Sequence, residues 1–180
     1  MDDELPISIL KKLIQIASQN PMGHQRTGAG WSEKALSEWL CRFFDRHNVP
    51  HRYDEIESNR GHVVAWLKGN PDRPTVLLDA HQDTVPADGM TIDPFTPDER
   101  EGRLYGRGAC DVTGAMASIL ATVVRLNRVD PADRANLIVS LTCDEELHQI
   151  GASDLVSRLE LADDEFPCKP DVAIISEPTE

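Results

Sequence analysis

The order of hydrophobic patterns predicts an α/β domain with a mostly parallel sheet flanked by helices, and three observations carry that prediction. Segments with helical spacing alternate with short strand-like runs, as in layered α/β folds. One run, residues 75–80, is apolar enough to be a strand covered on both faces. Histidine and acidic residues directly follow strand candidates, where open α/β sheets gather their ligands.

From the N-terminus, Ile9, Leu10, Leu13, Ile14 and Ala17 recur at helical spacing, and Asn20-Pro21-Met22-Gly23 stops that helix. Ser32 is a candidate N-cap for a second helix whose inner face is Leu36, Trp39, Leu40, Phe43 and His47, closing near Asn48-Val49-Pro50. Strands are expected at residues 52–56, 62–67 and 75–80, the last reached through Asn70-Pro71-Asp72-Arg73-Pro74. Residues 84–108, rich in Pro, Gly and Asp, read as loop. Met116, Ile119, Leu120 and Val123 mark a third helix, and a strand (137–142), a helix (152–161) and a last strand (172–175) follow.

A chain of 180 residues with 40% hydrophobic content supports one domain, residues 1–180. The net charge of −13 argues against nucleic acid or an anionic membrane surface as partner. No apolar run approaches the ~18 residues of a membrane span. The acidic start Met1-Asp2-Asp3-Glu4 lacks the features of a signal peptide. Cys41, Cys110, Cys143 and Cys168 form no C-x-x-C pair, so reduced thiols in the cytoplasm are expected.

Three chain segments deliver metal-type ligands to one sheet edge: His81 after one strand, Asp144-Glu145-Glu146 after another, and Glu177 after the last. In His81-Gln82-Asp83 the carboxylate lies two residues beyond the imidazole, on the same side of an extended segment. It is therefore placed to hold the second ring nitrogen. The bland alternative is a satisfied histidine beside a loop aspartate. Gly106 and Gly108 bring a tight turn before Asp111, which either faces the site or caps the following helix. A dinucleotide fingerprint is excluded, because Asp111 stands where the third glycine belongs. Three adjacent acids repel one another, and a cation is the expected relief, although acids also complement a helix N-terminus. Glu177 alone reads as a solvated strand end, and His148 as loop or pocket wall.

Taken together, Asp79-Ala80-His81-Gln82-Asp83-Thr84-Val85-Pro86, Asp93-Pro94-Phe95 with 104–111, Asp144-Glu145-Glu146 with Gly151-Ala152, and Glu177-Pro178-Thr179 resemble the co-catalytic zinc metallohydrolases. That family includes acetylornithine deacetylase, succinyl-diaminopimelate desuccinylase, aminoacylase and glutamate carboxypeptidase. The resemblance implies a zinc-exopeptidase-like fold, here incomplete, and two Zn²⁺ ions, with Co²⁺ or Mn²⁺ able to take the same ligands. It implies His81 and Glu177 on one metal, Asp111 bridging, Glu146 on the second, Glu145 as general base, and Asp83 orienting His81. It also implies a cis peptide at Asp111–Val112.

The chain carries Val112-Thr113-Gly114-Ala115 where the family often has Met-Lys-Gly-Gly. A sixth ligand and a dimerising lid domain are expected to lie outside these residues, leaving this piece inactive alone within a homodimeric parent. The expected reaction is amide hydrolysis of small N-acyl amino acids. A zinc dipeptidase or carboxypeptidase is the alternative, and a non-catalytic metal-binding fragment is the alternative of another class.

Overall fold

The computed structural model describes residues 5–26, 28–161 and 169–178. The expectations placed on Met1–Glu4, Cys168 and Thr179 lie outside them. A five-stranded sheet forms the centre, in the order β1 (His51–Glu57), β2 (Arg60–Leu67), β6 (Asn136–Thr142), β3 (Thr75–His81), β7 (Val172–Ile175). The β6–β3–β7 portion is parallel, whereas β1–β2 and β2–β6 pair antiparallel, so the sheet is mixed. The carboxyl ends of β6, β3 and β7 share one edge. Because β2 runs the other way, its first residue arrives at that same edge.

Helices cover both faces. On one side α1 (Pro6–Ile14), α2 (Lys34–Arg46) and α3 (Thr113–Asn127) enclose the main core, in which Leu13, Leu40, Phe44, Met116 and Leu120 meet Val63, Ala65, Val139 and Leu141. On the other, Leu155 of α4 (Ile150–Leu161) packs on Val64, Leu77 and Ile138. Alternation along β2 and β6 sorts these residues between the faces, as a period of two demands.

Several local expectations differ. The first helix ends at Ile14, before Ala17, because the chain from Ser18 to Asn20 is drawn into main-chain bonds: Gln19 N–H donates to Gly30, and Asn20 N–H to Thr84. Asn20 is thus a buried residue of the interior and not a helix terminator. Ser32 has φ 106 and does not cap α2; Glu33 takes the N-cap position without capping, its carboxylate turned inward instead. The 84–108 segment contains a small hairpin of β4 (Asp98–Arg100) and β5 (Arg103–Tyr105), too short for periodicity to reveal. No described helix is long and apolar enough to cross a membrane.

Candidate metal centre

β3 is the central parallel strand and delivers His81, 2% exposed, at its last position. The Nδ1–H of His81 donates to the main-chain carbonyl of Asp83 at 2.8 Å. A carbonyl only accepts, so Nδ1 carries the proton and the Nε2 lone pair faces outward. Nε2 lies 3.0 Å from Asp111 Oδ1 and 3.4 Å from Glu177 Oε1, and the three ligand atoms all lie within 4.8 Å of one another. Glu177 reaches this place because β7 pairs in parallel with β3 and ends beside it.

The tight turn before Asp111 depends on Gly108, at φ 76, where a Cβ would stand 2.9 Å from the Thr84 side chain. The Asp111–Val112 peptide is cis. The N-cap of α3 is Val112, which removes the reading of Asp111 as a helix cap. Asp111 faces His81 instead.

Glu145 and Glu146 occupy the turn after β6. Glu145 Oε2 is 3.9 Å from His81 Nε2, and Glu145 Oε1 accepts from Gln149 at 3.2 Å. Glu146 is outside the trio; its Oε1 accepts from Val85 N–H, and it lines a recess of about 160 Å³ with Thr84, Arg107, Gly108 and Asp111. His148 is mostly exposed, its Nδ1 3.4 Å from Asp144 Oδ2.

Two expectations are corrected here. The Asp83 carboxylate does not bond the imidazole: it is 3.7 Å from Nδ1, and the Asp83 carbonyl does that work. The carboxylate is already engaged by Glu145 N–H at 3.0 Å, Glu146 N–H at 3.2 Å and Asn20 Nδ2 at 2.7 Å. The three consecutive acids are not all relieved by one cation either. Asp144, at φ 60, turns into the interior and pairs with Arg60 at 2.8 Å, while Glu145 and Glu146 turn toward the site. Arg60 was missed in the sequence because nothing local links it to residue 144; its position at the head of β2 was the only available signal.

The electrostatics fit a cation. Burial disfavours the imidazolium, but the negative charges of Asp83, Glu177 and Glu145 outweigh it, and the His81 pKa is raised. Burial, reinforced by neighbouring carboxylates, raises Glu146 and Glu177, although His81 opposes both shifts. A histidine nitrogen converging with carboxylate oxygens, with its other nitrogen held by a carbonyl, is a donor set suited to zinc and similar divalent ions. Asp111 and Glu177 gather negative charge around the outward nitrogen of His81, which a bound cation would offset.

Comparison with known proteins agrees. The model of peptidase family M20/M25/M40 matches residues 77–180, more than half of the chain. The succinyl-diaminopimelate desuccinylase of Leptothrix cholodnii is 29% identical over 176 residues, 96% of this chain and 44% of its own length. A probable succinyl-diaminopimelate desuccinylase of Staphylococcus aureus is 27% identical over 176 residues, again 96% of this chain and 40% of its own. The chain thus spans less than half the length of these relatives. Among solved structures, an M20 family metallo-carboxypeptidase from Sulfolobus solfataricus superposes with a TM-score of 0.74 at 19% identity, covering 98% of this chain and 37% of its own. Human carnosine dipeptidase 1 does so at 0.72 and 22% identity, covering 96% and 38%, and both share the fold. With its strand-end ligands and a matched family model over residues 77–180, the chain belongs to peptidase family M20/M25/M40.

Proposed function

We propose that these residues form the metal-binding part of a metal-dependent amidohydrolase that cleaves N-acyl amino acids, of the succinyl-diaminopimelate desuccinylase or acetylornithine deacetylase type. The observation that carries this reading is the convergence of His81 Nε2, Asp111 and Glu177 within 4.8 Å at the ends of β3 and β7. The desuccinylase names of the two curated relatives support the substrate class.

In this reading His81, Asp111 and Glu177, with Glu146 outside the trio, would hold divalent ions, and zinc would suit the mixed nitrogen and oxygen set. Bound divalent ions supply positive charge that polarises an amide carbonyl and acidifies water. The chain's own residues do the rest. Glu145, half-buried beside His81, takes the proton of the attacking water and delivers it to the departing amine nitrogen. The Asp83 carbonyl keeps the His81 proton on Nδ1, and the Asp83 carboxylate holds the main chain of Glu145 and Glu146. Cytoplasmic location and homodimerisation of the whole enzyme belong to the same proposal.

The test is elemental analysis of the purified chain beside His81→Ala and Glu146→Ala. Near-stoichiometric zinc that is lost in both variants is expected, and wild type without metal would sink the ligand assignment for this chain. With catalytically competent protein, Glu145→Gln is expected to keep its metal and lose roughly 10²–10⁴-fold in turnover. Assays with N-succinyl-diaminopimelate, N-acetylornithine and dipeptides separate the amidohydrolase from a dipeptidase.

A further inference from the structure

Behind the proposed ligands lies a second layer of charge, its carboxylates internal and its one guanidinium nearly so. The carboxylates of Glu33, Asp83 and Asp144 are each no more than 1% exposed, and they are joined through Arg60 and Asn20. The Arg60 guanidinium grips Glu33 with two bonds, Nε at 3.0 Å and Nη2 at 2.7 Å, and its Nη1 reaches Asp144 Oδ1 at 2.8 Å. Glu33 also accepts from Asp144 N–H at 3.1 Å. One Asn20 amide nitrogen donates to Asp144 Oδ1 at 2.9 Å and to Asp83 Oδ2 at 2.7 Å. Asp83 then accepts the N–H groups of Glu145 and Glu146.

Topology explains why Arg60 is there. β2 is antiparallel to β6, with Val63 opposite Leu141, so the start of β2 stands where β6 gives way to Asp144. A planar fork that always carries charge is suited to bind one carboxylate bidentately and a second at its flank; a lysine has no such geometry. Asp144 sits at φ 60, a backbone region that a non-glycine residue occupies seldom, and its buried pairing with Arg60 and Asn20 holds it there. That conformation separates the directions of the three acids, sending Asp144 inward.

We propose that Arg60 is the positioning residue of the 144–146 turn: through Glu33 and Asp144 it fixes the backbone from which Glu145 and Glu146 reach the metal centre. The inference rests on the ligand reading above for its consequence, a metal site assembled in advance. Arg60 acts through its bonding partners Glu33 and Asp144 and is not among the proposed ligands.

The experiment compares wild type with Arg60→Lys in two measurements. The first is amide exchange by NMR in the metal-free chain, at Glu145 and Glu146 against Val139 and Leu141 of β6. The second is titration with Co²⁺ followed by visible absorption. Arg60→Lys is expected to speed exchange selectively at residues 145 and 146, and to weaken cobalt binding by roughly 10–100-fold, the usual cost of losing an outer hydrogen-bonding partner. Unchanged protection at 145 and 146, or an equal rise at Val139 and Leu141, would overturn the positioning role, the latter marking a general stabiliser. If Arg60→Lys does not fold, Glu33→Gln/Arg60→Met removes the carboxylate with its cation, and the same comparison applies. Wild type that binds no cobalt would count against the ligand reading alone, while the amide comparison still decides the role of Arg60.

Discussion

The two sides of the candidate metal centre are built differently. The side formed by His81, Asp83 and the 144–146 turn grows from strands sealed between helices, and His81, Gln82, Asp83 and Asp144 are all buried. Gln82 alone bonds Ser37, Gly61 and Leu141. The other side is exposed: Glu177 extends from the edge strand β7, whose Val172, Ile174 and Ile175 are about half accessible, and Asp111 lies on an exposed turn. Interior hydrogen bonds therefore hold the first set of residues, while strand pairing and turn geometry hold the second. The same chemistry of residue types carries different energetic consequences on the two sides.

Core truncation gives the widest contrast. Ile138→Ala, in the cluster with Val64, Leu77 and Leu155, is expected to lower unfolding free energy by roughly 2–5 kcal/mol. Ile174→Ala on β7 is expected to cost below about 1 kcal/mol, because its side chain is already half in water. Urea denaturation of both variants checks this, and equal losses would show that β7 is as integral as β6.

A smaller contrast is expected at the carboxylates. Asp83→Ala leaves two main-chain N–H groups without their acceptor and takes from the Asn20 amide one of its two, at a cost of about 1–3 kcal/mol. Glu177→Ala is expected to stay within about 0.5 kcal/mol in the metal-free chain. Thermal melts with and without zinc sharpen the difference: zinc should raise the wild-type midpoint and raise that of Glu177→Ala less.

The smallest effect concerns pH. The folded pKa of His81 is raised above its ordinary 6.5. Its contribution to metal-free stability is therefore fully present below pH 6.5 and is lost as pH rises through the folded value. The stability difference between wild type and His81→Asn, followed across that range, should shrink as pH rises. Zinc affinity should move the opposite way, strengthening with pH, because the ion displaces the imidazole proton. A difference that grows with pH would contradict the charge balance described for the site.

Much of this was legible in the sequence. Strand and helix order followed from hydrophobic period, since one face or both must be buried. The positions of His81, of the 144–146 acids and of Glu177 after strand candidates placed them at one edge, whereas residue spacing left Asp111 open between the site and a helix cap. What was read wrongly involved a neighbourhood captured by distant partners: Asn20 by residues 83 and 144, the cap expected of Ser32 lost where the next residue, Glu33, turns inward to Arg60, and the Asp83 carboxylate taken by the backbone of Glu145 and Glu146. Local spacing assigns such groups to local roles, as terminator, cap or imidazole partner.

The sequence by itself determined the α/β class, the strands that carry the candidate ligands and the residue types that converge, because these depend on periodicity and on chemistry attached to strand ends. Only the tertiary structure decided the mixed sheet order, the split of three consecutive acids between interior and site, and the choice of carbonyl over carboxylate at His81. These depend on which donors and acceptors from distant segments meet in a space without water, where a polar group left without a partner is costly.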